Sequence, residues 1–187
     1  MKPCKLNNNV RVQYYNYLLE EYQRIHLIDV EELSNAFDYA TYDGNWRPML
    51  QFIADAYEED SSVRLLIEGE RNLQGFFTAF LSLSPYALVA PEVELNHGYC
   101  DFFLLPDFRK ADDQRHSYII ELKYLKTNDS EALALQQWSE AEQQLKQYDQ
   151  VAKVRLLAGH TQLHLIAMQF RHHHLVRMEE VAPSGQP

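Results

Sequence analysis

Apolar residues recur at every third or fourth position over the first sixty residues, and this spacing predicts helices. The first predicted helix covers residues 10–25. A second begins after Asp29, which together with Glu32 resembles a capping box. After a predicted turn at residues 42–45, a third helix has Pro48 in its first turn, where the missing N–H is tolerated.

A fourth helix is predicted to begin at Ser61 or Ser62, and its apolar face contains one charged residue. Glu70 occupies a core-facing position on a stripe whose other members are Val63, Leu66, Leu73, Phe77 and Phe80. A carboxylate is costly to bury without a partner, so Glu70 at this position calls for an explanation.

The pattern changes after Pro85 from helical spacing to short β-favouring runs separated by turn residues. Three strands are predicted, at residues 87–95, 99–105 and 117–124. A helix follows, capped by Asp129 or Ser130, and continues with a break toward Gly159, a residue type that commonly ends helices. The last predicted elements are two strands, at residues 163–170 and 175–181.

This order of elements, a helix, three strands, a helix and two strands, predicts an α/β fold with a mixed sheet flanked by helices. We expect three parts: an N-terminal helical extension over residues 1–60, a core over residues 61–182 and a flexible polar tail over residues 183–187. A chain of 187 residues is long enough for one domain with such an extension.

The composition is that of a globular protein, since 46% of the residues are apolar and 24% are charged. We expect no membrane span, because no apolar run approaches about 18 residues. We expect a cytoplasmic location, because two cysteines are too few for a disulfide framework. The formal net charge of −10 disfavours tight binding to nucleic acid unless a local basic patch or a bound cation supplies positive charge.

Three carboxylates and one lysine interrupt apolar patterns in the middle of the chain. On the predicted third strand, Glu121 and Lys123 point to the same face because they are two residues apart. Asp101 interrupts the second strand in a similar way, and Glu70 interrupts the helix before it. Each of them alone is more commonly a solvated or salt-bridged group, but their joint occurrence favours a functional site at one end of the sheet.

Such a cluster has the composition of a magnesium site. Carboxylate oxygens are ligands that Mg²⁺ prefers, and a bound cation lowers the pKa of a water molecule and offsets charge on a phosphoryl group. A neighbouring lysine, here Lys123, can orient the water and stabilise the charge of the transition state. These residues are sufficient for hydrolysis of a phosphodiester.

The order and spacing of these residues resemble the D-x(n)-E-x-K signature of the PD-(D/E)XK nuclease superfamily. Nineteen residues separate Asp101 from the Glu-Leu-Lys sequence at residues 121–123. Residues 70–77 resemble the acidic helix that precedes the core strands, and residues 141–148 resemble the A-x-x-Q-[IL] helix that follows them. Cys100 stands where the signature has its proline.

The resemblance implies a restriction-endonuclease-like core with the element order αβββαβ. It implies catalysis with Mg²⁺ or Mn²⁺ and a nucleic-acid substrate, with DNA favoured over RNA. The residues that it implies are three metal ligands, Glu70, Asp101 and Glu121, two catalytic residues, Lys123 and Gln144, and one substrate contact, Tyr148.

More narrowly, the chain resembles the nuclease-like C-terminal domain of bacterial AAA-ATPase-like proteins, through residues 6–14 and 43–50. The sequence contains no Walker-type glycine loop. We therefore expect a linked AAA-ATPase-like domain in a longer protein.

Two other functions fit the sequence. The first is a catalytically silent module of the same fold that docks nucleic acid or protein. The second is an interaction domain in which the N-terminal sixty residues bind a partner. A zinc site at residues 172–174 is disfavoured, because neighbouring histidines on a strand point to opposite faces.

Overall fold

A computed structural model of the chain describes residues 29–59, 69–95, 98–109 and 113–183. Three predicted features lie outside these residues: the helix at residues 10–25, the helix start at Ser61 or Ser62, and most of the tail. The division of the chain at residue 60 stays a prediction.

The described N-terminal helices begin and end close to the predicted positions. Helix α1 spans Val30–Asp38, and the Asp29 carboxylate accepts hydrogen bonds from two N–H groups of its first turn. The expected turn at residues 42–45 starts later than predicted, because the chain continues through one π-helical turn at Tyr39–Asp43. Gly44 ends this turn in the left-handed conformation, with φ of 71°. Helix α2 then spans Arg47–Glu59.

Helix α3 spans Glu70–Leu81 and follows Gly69, whose φ of 134° only glycine adopts readily. The prediction of one unbroken helix from Ser61 or Ser62 to Phe80 is therefore wrong, because Gly69 is not helical. Leu73 and Phe77 are fully buried on this helix, as its apolar stripe predicts. The expectation that Glu70 faces the core is wrong, because its side chain is exposed in the first turn. A carboxylate is favoured there by the partial positive charge of the helix N-terminus.

In the part of the chain that the structure describes, five strands form one mixed sheet in the order β1-β2-β3-β4-β5, which confirms the predicted α/β fold. The strands are antiparallel except for β3 and β4, which are parallel. Their bounds are Ala87–Leu95, Gly98–Pro106, His116–Leu125, Gln162–Arg171 and His174–Glu180.

The parallel pair requires a crossover, which helices α4 (Glu131–Asp149) and α5 (Ala152–Ala158) provide. Ser130 caps α4, as predicted, because its hydroxyl accepts the N–H of Leu133. The predicted stripe of α4 is buried at all five positions: Ala134, Trp138, Ala141, Leu145 and Tyr148. The predicted break and the stop at Gly159 are also confirmed.

The sheet separates two apolar cores. Helices α1, α2 and α3 pack on one face, and α4 and α5 pack on the other. Tyr118, Ile120 and Leu122 of β3 belong to the first core, and Ile119 belongs to the second. Because side chains alternate along a strand, Glu121 is on the α4 side of the sheet. No helix in the described ranges is long and apolar enough to cross a membrane.

The histidine triplet at residues 172–174 falls between the two predicted closing strands, so the strand geometry used to disfavour a zinc site does not hold for all of it. His172 and His173 lie in the turn between β4 and β5, and only His174 lies on a strand. His172 has a positive φ of 57°, so the three rings do not alternate as they would on a strand. Neighbouring rings contact each other, and His174 Nδ1 lies 2.7 Å from Glu58 Oε1.

Candidate active site

The candidate site lies where β2 and β3 stop pairing. Their antiparallel register runs from Leu104–Tyr118 to Phe102–Ile120. Asp101 and Glu121 are the next residue on each strand, so they stand at the mouth of the gap that opens between the two strands. Strand β3 continues beside β4 through this region, which keeps the backbone of residues 121–125 fixed.

Both oxygens of the Asp101 carboxylate accept a hydrogen bond. Oδ2 accepts the backbone N–H of Leu122 at 2.6 Å, across the gap between the strands. Oδ1 accepts the side-chain amide of Gln74 at 2.6 Å, from helix α3. The carboxylate is therefore held between a strand on one side and a helix on the other.

Glu121 and Lys123 form a largely buried ion pair on β3. Lys123 Nζ lies 2.9 Å from Glu121 Oε1, and 3% of Glu121 is exposed. Lys123 Nζ also donates to Gln144 Oε1 of helix α4 at 2.8 Å. Glu121 and Lys123 thus lie together on one face of β3, as predicted, and Lys123 links them to helix α4.

Burial raises the pKa of both carboxyl groups, and a neighbouring negative charge adds to each increase. For Glu121 the larger cause is burial, and the negative charge of Asp101 adds to it. For Asp101 burial again comes first, and Glu70 contributes a smaller increase. The positive charge of Lys123 lowers the pKa of both groups but does not offset the increase. An additional positive charge beside these two buried carboxylates would stabilise their ionised forms.

One atom of this cluster is buried without a hydrogen bond. Glu121 Oε2 forms no hydrogen bond of normal geometry with the described residues, whereas Lys123 donates to Oε1 of the same carboxylate. The backbone N–H of Asp101 comes near enough to the carboxylate to lower its pKa, but this is the smallest of the contributions. A buried carboxylate oxygen without a partner costs free energy, and such atoms in a folded protein commonly indicate an ion or water molecule.

Glu70 is not brought together with Asp101 and Glu121. Its charge raises the pKa of Asp101, so it lies near the site, but its side chain is exposed at the start of α3. Over the described ranges, no group of three or more His, Cys, Asp or Glu side chains is arranged to hold a metal ion. The residue of helix α3 that contacts Asp101 is Gln74, and not Glu70 as expected.

Tyr148 supports the site from inside the protein. The side chain is fully buried, so none of its surface is open to the substrate contact that the resemblance implies. Its hydroxyl donates to the backbone oxygen of Tyr99 at 2.9 Å and so fixes β2 two residues before Asp101. Tyr99 itself is 60% exposed.

The sequence analysis assigned no role to Gln74. One signal was present, because Gln74 lies four residues after Glu70 and therefore on the same face of the helix.

Comparison with known proteins adds one match. A family model described as the PD-(D/E)XK nuclease superfamily matches residues 68–180, which is more than half of the 187 residues. The matched segment begins just before α3 and ends with β5, so it contains all six residues that the sequence analysis singled out. No curated protein matches the chain.

Proposed function

The chain belongs to the PD-(D/E)XK nuclease superfamily, and on this basis we propose that it is a nuclease that depends on Mg²⁺ or Mn²⁺. Its substrate would be a phosphodiester of nucleic acid, with DNA favoured over RNA. The observation that carries the metal dependence is the buried Glu121 oxygen that forms no hydrogen bond of normal geometry with the described residues, beside the Asp101 carboxylate.

The donor set fits a magnesium-type cation. Asp101 and Glu121 would hold it, and Mg²⁺ is commonly bound through one or two carboxylates together with waters and substrate phosphates. When bound, such a cation offsets charge on the phosphoryl group and makes water a stronger nucleophile at neutral pH. Glu70, exposed near Asp101, would act at longer range by adding negative charge to the approach of the cation.

Lys123 is the residue that we propose acts on the substrate. Its ammonium group is held on one side by Glu121 and on the other by Gln144, so its direction is fixed before substrate binds. A positioned ammonium donor can orient the attacking water and stabilise charge that develops on the phosphate oxygens. Gln144 would serve by keeping Lys123 in place through its side-chain carbonyl.

The net charge of −10 makes the cation important for binding as well as for catalysis. Phosphates are repelled by an acidic protein, and affinity for nucleic acid ordinarily comes from their neutralisation. A cation held by Asp101 and Glu121 would reverse the sign of the local charge at the site. We therefore expect binding of nucleic acid to be much weaker in EDTA than in Mn²⁺.

The test is cleavage of single- and double-stranded DNA and RNA by the purified chain in Mg²⁺ or Mn²⁺. Lys123→Ala should lose cleavage. Lys126→Ala, which changes an exposed lysine just after the same strand, should retain it. Cleavage that survives in Lys123→Ala or in EDTA would contradict the proposed mechanism. Binding of nucleic acid without cleavage by the wild type would instead favour the silent docking module.

We also propose that the chain acts with an AAA-ATPase-like domain. The support is the resemblance at residues 6–14 and 43–50, and residues 43–50 form the connection from the π-helical turn into α2. The source genome should then encode a Walker-type phosphate loop in the same or an adjacent reading frame. Absence of such a loop from both the same and the adjacent reading frames would contradict this part of the proposal.

A further inference from the structure

The side chain of Gln74 links helix α3 to Asp101, one of the two candidate metal ligands. Gln74 is half-buried, one helical turn after the exposed Glu70, and its backbone oxygen accepts the Thr78 hydroxyl at 2.7 Å. Its side-chain amide donates to Asp101 Oδ1 at 2.6 Å, and within the described ranges it is the side chain that carries α3 into hydrogen-bond contact with the site.

The contact completes a two-sided restraint on Asp101. Leu122 N–H holds Oδ2, and the Gln74 amide holds Oδ1, so the plane of the carboxylate cannot turn without breaking one of two short hydrogen bonds. A carboxylate oxygen has two lone pairs. One on each oxygen therefore remains for another ligand.

The chemistry of the amide suits this position. A neutral donor orients the carboxylate without bringing a positive charge that would repel a cation. A lysine or arginine at the same place would hold Asp101 equally well but would compete electrostatically with the cation. An apolar side chain would leave Oδ1 without its donor and the carboxylate free to rotate.

We propose that Gln74 is a positioning residue for the site, which orients Asp101 toward the cation through its side-chain amide. This inference rests on the proposed metal dependence. Outer partners of metal ligands typically contribute about tenfold to hundredfold to metal affinity. We expect a loss of that size when the amide donor is removed.

The experiment is calorimetric titration with Mn²⁺ of the full chain and three variants. Gln74→Met keeps the length and helix propensity of the side chain and removes the donor. Gln143→Met makes the same change at an exposed position of α4 and serves as the matched control. Asp101→Asn removes the proposed ligand. Melting temperatures without metal report whether each variant is folded.

The expected result is a Kd for Mn²⁺ about tenfold or more higher in Gln74→Met, with Gln143→Met unchanged and Asp101→Asn without binding. The Mn²⁺ concentration for half-maximal cleavage should rise in parallel, with kcat at saturating Mn²⁺ largely retained. A purely structural role would lower the melting temperature instead and leave the Kd unchanged.

Two results would overturn the inference in different ways. If the wild type binds Mn²⁺, Asp101→Asn does not, and Gln74→Met binds like the wild type, then Gln74 has no positioning role and the proposed function stands. If the wild type binds no Mn²⁺ and Asp101→Asn behaves identically, the metal dependence fails and the inference fails with it.

Discussion

The Asp101 carboxylate takes the place of a neighbouring strand at Leu122. The backbone N–H of Leu122 donates to Asp101 Oδ2 at 2.6 Å, just beyond the last pair that joins β2 to β3. A backbone N–H at the point where two strands separate needs an acceptor. Asp101 supplies this acceptor. The residue therefore satisfies the strand edge at Leu122 and is also one of the candidate metal ligands.

This double role predicts different results for two substitutions of Asp101. Asp101→Asn keeps an oxygen that can accept from Leu122 and removes the charge. Its new N–H₂ group replaces the acceptor of the Gln74 amide, which can turn to present its own oxygen instead. The variant should therefore lose Mn²⁺ binding with little loss of stability. Asp101→Ala removes the acceptor as well and should lower the free energy of unfolding by about 1–3 kcal/mol. Urea denaturation and calorimetry with Mn²⁺ measure the two effects. Retained Mn²⁺ binding in Asp101→Asn would contradict the assignment.

The stability of the metal-free protein should fall as the pH rises toward neutral. Burial, together with the charge of Asp101, raises the pKa of Glu121 from 4.5 to about 7. Between these values the folded state binds more protons than the unfolded state, so the free energy of unfolding decreases with increasing pH. The contribution is complete below the unfolded pKa and is lost above the folded one. We expect a decrease on the order of 1–3 kcal/mol between pH 4.5 and 8.

Comparison with Glu121→Gln isolates this contribution. The variant should show a smaller decrease, because Asp101, whose pKa burial raises to about 6, still contributes to it. It should be more stable than the wild type at pH 8 in EDTA. His116, whose pKa is lowered by burial and by His164, affects both proteins alike and cancels in the difference. Glu140→Gln, an exposed position on α4, should follow the wild type. A difference between wild type and Glu121→Gln that does not change with pH would disprove the shift.

Glu180 should stabilise the protein on the face opposite to the candidate site. One carboxylate oxygen lies 2.7 Å from Nδ1 of the buried His164, and the other accepts the indole N–H of Trp46 at 3.0 Å. Because Nδ1 of His164 then carries the proton, its Nε2 can accept from Nδ1 of His116 at 2.9 Å. Glu180→Ala would leave these groups without acceptors, and we expect a loss of about 1–3 kcal/mol in the free energy of unfolding.

The neighbouring residue provides the control for this measurement. Glu179 is exposed and is bound to Arg177, itself near the surface of the same strand. Glu179→Ala should change the free energy of unfolding by less than about 1 kcal/mol, because exposed ion pairs contribute little. Equal effects of the two substitutions in urea denaturation would mean that the hydrogen bonds that link Glu180, His164 and His116 do not stabilise the fold.

Much of the fold follows from local sequence patterns. The α4 stripe is recognisable because one face of a regular helix is buried against the sheet, so its apolar residues recur at helical spacing. Glu121 and Lys123 share a face because a strand alternates with a period of two. In both cases the pattern depends on residues close together in the sequence.

The parts of the site that sequence analysis missed depend on distant contacts. Whether Glu70 or Gln74 reaches Asp101 depends on where α3 begins and on how it packs against β3. The packing of α3 against a distant strand cannot be deduced from the residues next to Glu70 and Gln74 in the sequence. Tyr148 follows the same rule, because its burial depends on β2 lying over its hydroxyl. The resemblance indicated the correct elements but could not specify which atoms meet.

Two glycines should respond in opposite ways to alanine. Gly44 has φ of 71°, and a Cβ there would lie 2.7 Å from Cε1 of His116, so Gly44→Ala should lower the free energy of unfolding by about 1–3 kcal/mol. Gly75 lies in helix α3 with nothing within 4 Å of an added Cβ, so Gly75→Ala should raise it by about 0.5–1 kcal/mol. Urea denaturation of both variants tests the pair. Gly75 is next to Gln74 in the sequence. Unchanged Mn²⁺ affinity in Gly75→Ala would therefore show that a change in the stability of α3 does not by itself change metal binding through the Gln74 amide.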